Sequence, residues 1–363
     1  MKFDKRIPYF CEWLNQAKID VTILFDRANV RYFSAFRMNR ATNSILIVKP
    51  TGDTVFVVPL LDYRRALKKC SLDQIIHFPE DVSDYLSVIK EPLAGIKVSR
   101  AGVELSIISY SQMRYLRQLF GDEVEFVDVT EILGKMRTVK CANEIALIRK
   151  AAQIADKAME EVIKKAQEGD TEFEMTAYAK YIMGREGAEG ESFEPFMMSG
   201  ENAWLPQRIS SSRKLVKGEL ILLDIGAVFE GYCSDLTRTF SLGGLSNKAR
   251  EIFQVAYEAQ QRAIEVLKPG IRGEEVDKVA RNFITQAGFG KYFPHLTGHG
   301  LGLEDHEAPL LDKGSKIELV PGMVLTVEPG IYVPEIGAAR VEDMVLITEN
   351  GHEILTKVKR ELV

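Results

Sequence analysis

The chain lacks most of what would mark a secreted, membrane or nucleic-acid-binding protein. Four cysteines in 363 residues, Cys11, Cys70, Cys141 and Cys233, stand far apart. They form no metal-like spacing, which argues against a disulfide scaffold and a thiolate zinc site and leaves free thiols as the expectation. No stretch reaches the roughly 18 apolar residues of a membrane helix. The opening MKFDKRIPYF carries charge with no apolar run behind it, unlike a signal peptide. A cytoplasmic chain without a membrane partner is expected. Basic excess is also missing. Lys and Arg number 47 against 52 Asp and Glu, for a formal net charge of -5, and no long basic run occurs. That leaves no electrostatic footprint for nucleic acid. No short solenoid-type repeat is present. What remains is ordinary globular composition, 46% hydrophobic and 27% charged, in a chain long enough for two domains.

The first third alternates short strands with helical stretches. Helices are expected over 4–17, 60–70, 81–90 and 105–120, and strands at Val21–Phe25, Ile96–Ser99 and Val124–Val127. Pro50 and Gly52 between two β-branched runs predict a hairpin of 44–48 with 54–58. This is the rhythm of a small α/β unit over 1–128, followed by a linker at 129–136. From about Asn143 to Ala166, Ile145, Ile148, Ala152, Ala155, Met159 and Val162 recur at helical spacing. A second helix starts at Asp170 or Thr171. Strands follow around 220–240, a further helix pair at 247–267 and 273–287, then strands at 323–328 and 340–347. The second domain, 137–363, therefore reads as α+β, with a recurring order of helix pair then strands.

Polar residues inside apolar runs carry the chemistry. Asp224 ends Leu-Ile-Leu-Leu, a core strand, where a carboxylate is costly unless paired or metal-bound. Asp235 follows across a Gly231 turn, and two such carboxylates repel unless a cation or proton lies between them. Three of the five histidines, His295, His299 and His306, fall in FPHLTGHGLGLEDHEAP. Glu328 ends another apolar run, and Glu342 lies in Ala-Arg-Val-Glu-Asp, where Arg340 is a competing ion-pair partner. Four carboxylates and one imidazole, without thiolate, suit two hard or borderline divalent ions such as Mn, Co or Zn. Phe193, Phe196, Met197, Met198 and Trp204 could line an apolar pocket or simply fill the core.

Five segments, MRTVKCANEI, LILLDIGAVFEGYCSDLTRTF, HLTGHGLGLEDHEAP, PGMVLTVEPGIY and ARVEDMVLIT, resemble the signature of the metal-dependent pita-bread peptidases. That family includes Xaa-Pro aminopeptidases, Xaa-Pro dipeptidases (prolidases) and methionine aminopeptidases. Residues 1–128 look like the creatinase-type N-terminal domain of the proline-directed members. The resemblance implies a pita-bread catalytic domain over 137–363 that binds two divalent ions. Asp224 would chelate one ion, Asp235 and Glu342 would bridge, and His299 and Glu328 would hold the other. Glu328 would also shuttle the proton, His306 would steady the carbonyl, and His295 would face the proline side. It further implies a homodimer, with a substrate bearing proline in second place.

The favoured activity is Xaa-Pro aminopeptidase. The alternatives are an Xaa-Pro dipeptidase and a non-catalytic binding module. Two departures from the family pattern bear on substrate. Gln207 stands where a histidine is usual, and Leu310 stands where dipeptidase-like members tend to carry an Arg suited to a short substrate's carboxylate.

Overall fold

Runs of β-branched residues with no polar alternation, such as Val21–Leu24, Ile45–Val48 and Thr54–Pro59, require a sheet covered on both faces, and every residue of these three strands is buried. The computed structural model describes residues 5–39, 42–79, 85–204 and 208–361. The chain divides into two compact units, Met1–Arg137 and Thr138–Val363.

In the first unit the six strands lie in the order Gln74–Phe78, Thr54–Pro59, Ile45–Val48, Val21–Leu24, Arg100–Val103, Glu125–Asp128. The expected hairpin is present, with Ile45 opposite Val57 in antiparallel register. The strand expected at 96–99 lies instead at Arg100–Val103, parallel to Val21–Leu24. Gly102 argues against a strand in sequence, yet a Cβ there would lie 2.7 Å from Oγ1 of Thr22, so only glycine fits the close approach. Residues 85–90 form a short 3-10 helix, and the rest of the helix expected from 81 lies outside the described residues. The segment expected as a linker is helical, Thr130–Thr138, because Ile132, Leu133 and Met136 share an apolar face and are buried.

The second unit repeats one plan. Helices Ala142–Lys165 and Glu172–Arg185 precede one set of strands, and helices Asn247–Glu265 and Gly273–Gln286 precede another. Thr171 caps its helix through a reciprocal box with Glu174. In the first half, Ile221–Ile225 lies between Phe196–Ser199 and Leu236–Phe240, antiparallel to both. In the second half the sheet order is Glu307–Leu311, Gly298–Gly300, Val324–Val327, Asp343–Thr348, Gly351–Ile354. Each helix pair packs its apolar face over its own strands, and the strand ends meet at one buried polar seam.

Candidate metal centre

Register explains why carboxylates distant in sequence converge. Asp224 stands opposite Thr237, and Asp235 immediately precedes the Leu236–Phe240 strand. Val327 stands opposite Asp343, so Glu328 and Glu342 flank the same end of their ladder. Glu328 N–H donates to the Thr297 carbonyl at 2.8 Å, and His299 N–H to Thr326 Oγ1 at 3.1 Å, which brings His299 to that end. The two halves are stitched there. Thr237 Oγ1 donates to Glu342 Oε2 at 2.6 Å, and Glu342 N–H donates to the Thr237 carbonyl at 3.2 Å.

Ligand atoms of Asp235, His299 and Glu342, all buried, lie within 4.8 Å of one another. Glu328 Oε1 is 3.1 Å from Nε2 of His299, and Asp235 Oδ2 is 3.6 Å from it. Nδ1 of His299 donates to the Gly300 carbonyl at 3.0 Å, which fixes the tautomer and leaves Nε2 facing the carboxylates. Asp224 is held differently: its Oδ2 is ion-paired with Nη2 of Arg340. Arg340 thus pairs with Asp224 rather than with Glu342, its nearer neighbour in sequence. It also donates to Tyr332 Oη at 2.8 Å and Thr237 Oγ1 at 3.0 Å.

The seam is short of cations for its buried carboxylates. Burial, then the charges of Glu342, Asp224 and Glu328, push the Asp235 carboxyl well above its ordinary range. Burial, then Glu328 and Asp224, do the same to Glu342. Burial lifts Asp224 to about 6 against the pull of Arg340. Burial also opposes ionisation of Glu328, but the His299 hydrogen bond and charge overcome it and hold Glu328 down at about 2. Asp224 Oδ1 and Glu342 Oε1 are buried with no hydrogen-bond partner. Unpartnered carboxylate oxygens beside an oriented imidazole fit divalent cations, whose charge would replace the protons these groups otherwise need.

The seam forms the floor of a cavity of about 790 Å³, lined by Asp224, Asp235, His299 and Glu328 and also by His295 and His306. His306 stacks on His299 with ring centroids 3.6 Å apart and lies 3.2 Å from Asp305. His295 donates through Nδ1 to the Leu296 carbonyl at 2.8 Å, and its Nε2 meets Tyr332 Oη at 3.1 Å. Burial lowers its pKa to about 4, so it is neutral near pH 7. Phe193 and Phe196 line the cavity. Met197 and Met198, weighed with them as pocket residues, are wholly buried in the core. Leu310 is 43% exposed on its strand, and Gln207 lies outside the described residues. Sequence reasoning missed Tyr332 and Arg281 as cavity residues. The only signal was their nearness to the Glu328 and His295 segments.

Residues 146–349 match Metallopeptidase family M24, and residues 6–139 match the Creatinase/Prolidase N-terminal domain. The chain belongs to metallopeptidase family M24. It is an enzyme of the Xaa-Pro aminopeptidase or dipeptidase type, with a creatinase-type N-terminal domain before a pita-bread domain. It is similar to the Xaa-Pro dipeptidase of Pyrococcus horikoshii, 35% identical over 360 residues, covering 99% of each chain. Among solved structures, the prolidase from Pyrococcus horikoshii OT3 superposes with a TM-score of 0.92 at 35% identity, covering 99% of this chain and 100% of that one. The X-Pro aminopeptidase from Thermotoga maritima gives 0.86 at 32% identity, covering 95% and 97%. The family is one of metal-dependent hydrolases, so divalent ions belong to its chemistry.

Proposed function

We propose that this metallopeptidase is an Xaa-Pro dipeptidase. The observation that carries the reading is similarity along 99% of both chains to a protein named Xaa-Pro dipeptidase. It replaces the aminopeptidase favoured from sequence alone. The similarity to an X-Pro aminopeptidase keeps that activity as the second reading.

Asp224, Asp235, His299, Glu328 and Glu342 would hold two divalent ions, Mn or Co first and Zn next, given an oxygen-rich donor set with one imidazole. Bound divalent ions supply Lewis acidity, which acidifies a water and polarises the scissile carbonyl. Glu328 takes the proton released by the attacking water and delivers it to the proline nitrogen, which cannot leave unprotonated. His306 steadies the carbonyl oxygen as it gains charge. His295, neutral and oriented through Leu296 and Tyr332, positions the proline side. Phe193 and Phe196 offer an apolar wall to the proline ring or the N-terminal side chain. This chemistry would belong to the domain after residue 137, which the smaller domain over 1–128 precedes. A homodimer in the cytoplasm fits four free thiols and the family resemblance, and sedimentation tests the dimer.

The deciding experiment compares an Xaa-Pro dipeptide with an Xaa-Pro-Xaa tripeptide after loading with Mn, Co or Zn and after chelation. Preferential, chelator-sensitive cleavage of the dipeptide is expected. Preference for the tripeptide would restore the aminopeptidase reading.

A further inference from the structure

We propose that Lys313 is the specificity-determining cation that receives the substrate's C-terminal carboxylate, an assignment that rests on the dipeptidase reading above. In an Xaa-Pro dipeptide the carboxylate lies one residue beyond the scissile bond, within about 4 Å along the chain. A site that selects dipeptides needs an uncommitted cation on the proline side of the cavity.

Four cations line the cavity: Arg208, Arg281, Lys313 and Arg340. Arg340 is consumed by Asp224, Tyr332 and Thr237. Arg281 grips Asp277 with two prongs, at 2.7 and 2.8 Å, and donates to the carbonyls of Phe293 and His295. Its fork holds the His295 segment in place and is not free to clamp a ligand. Lys313 and Arg208 are both exposed, and neither has a carboxylate partner among the described residues, so these two cations are uncommitted and their placement decides between them.

Backbone pairing sets where Lys313 stands. Gly298 is opposite Leu311, and Thr297 N–H donates to the Leu311 carbonyl at 2.9 Å. The two segments run antiparallel, so the register carried past this pair points Lys313 toward Leu296, and Lys313, Leu296 and His295 line the same cavity. That is the side expected to meet proline. Lys313 is also held in a fixed turn. Ser315 N–H bonds to the Asp312 carbonyl at 3.1 Å, and Gly314 adopts φ 77°. This is the pattern of a type II turn, with the lysine at its second position and the glycine the turn requires at its third. Asp312 also lines the cavity, but its Oδ1 accepts the Lys313 N–H at 2.7 Å and is bound back onto its own loop. The strand carries no cation at Leu310, and the turn supplies one three residues later.

The test uses the metal-loaded full chain as wild type, Lys313→Met, Lys313→Arg and Arg208→Met. Hydrolysis of Ala-Pro is compared with that of Ala-Pro amide. Calorimetry gives the affinities of a reduced-bond Ala-Pro analogue and of its amide. In Lys313→Met the preference for free carboxylate over amide should fall about 10-fold, chiefly through KM and analogue affinity, as for a lost charged hydrogen bond. Lys313→Arg should restore most of it. An unchanged preference in Lys313→Met, a parallel loss on both ligands, or a collapse in Arg208→Met instead would overturn the assignment. Lys313-dependent binding of the analogue without dipeptide cleavage by wild type would defeat the dipeptidase reading and leave Lys313 standing. Cleavage with a Lys313-independent preference would defeat Lys313 alone.

Discussion

Glu328, the proton carrier of the proposed mechanism, faces His299 across 3.1 Å, and His299 is fixed by the Gly300 carbonyl. Glu328→Gln keeps the shape of that contact but cannot accept the water's proton. Its kcat should drop by at least about 100-fold, measured on metal-saturated protein. His299→Ala should instead lower the bound metal per chain, read by elemental analysis after dialysis. A third prediction concerns Glu104 in the first unit. Burial raises its carboxyl to about 7 against hydrogen bonds from Phe25 N–H, Asn29 Nδ2 and Asp26 N–H. The folded pKa lies above the ordinary glutamate value of 4.5 that holds in the unfolded chain, so folding takes up protons between the two. Its stabilising contribution is full below about 4.5 and is lost as pH rises through about 7. Thermal unfolding followed from pH 5 to pH 8 should show that decline, and Glu104→Gln should flatten it.

At the scale of elements, the helix starting at Glu172 does more than pack. The buried Glu172 carboxylate accepts from Ser199 N–H and Oγ, Asn202 Nδ2, and Ser211 N–H and Oγ, at 2.8 to 2.9 Å. It ties Ser199 and Asn202 to Ser211. Glu172→Ala would leave several buried donors unmet, at a cost of about 3 kcal/mol, and denaturant titration would register the loss. Elements with strong periodicity, such as Ala142–Lys165, were legible within a residue or two. The helix Arg27–Ser34 was not. It is eight residues long, is capped by Asp26 accepting from Asn29 N–H, and ends with Ala35 at φ 54°, which local propensity does not announce. Arg100–Val103 was misplaced because pairing with Val21–Leu24, not composition, selects it.

For the whole molecule, the proposed metal site predicts a coupling of metal binding to folding. The seam that joins the two halves of the second unit holds crowded carboxylates that ionise at a cost, so ions that replace their protons should stabilise the folded chain. Metal at about 100 times its dissociation constant adds about 2.7 kcal/mol. The unfolding temperature should rise by several degrees on loading and fall back with chelator, as read by calorimetry. Among the described residues no helix is long and apolar enough to cross a membrane.

Read alone, the sequence determined the α+β composition, the helix-pair-then-strands order and the residues to suspect. Carboxylates that end apolar strands are visible wherever they occur, because burial makes them costly. Only the tertiary structure decided who pairs with whom. Arg340 reaches Asp224, 116 positions away in sequence, rather than Glu342 two residues on. His299 takes Glu328, and Lys313 joins His295 in lining one cavity. Those choices depend on register between distant strands, and no local pattern carries that information.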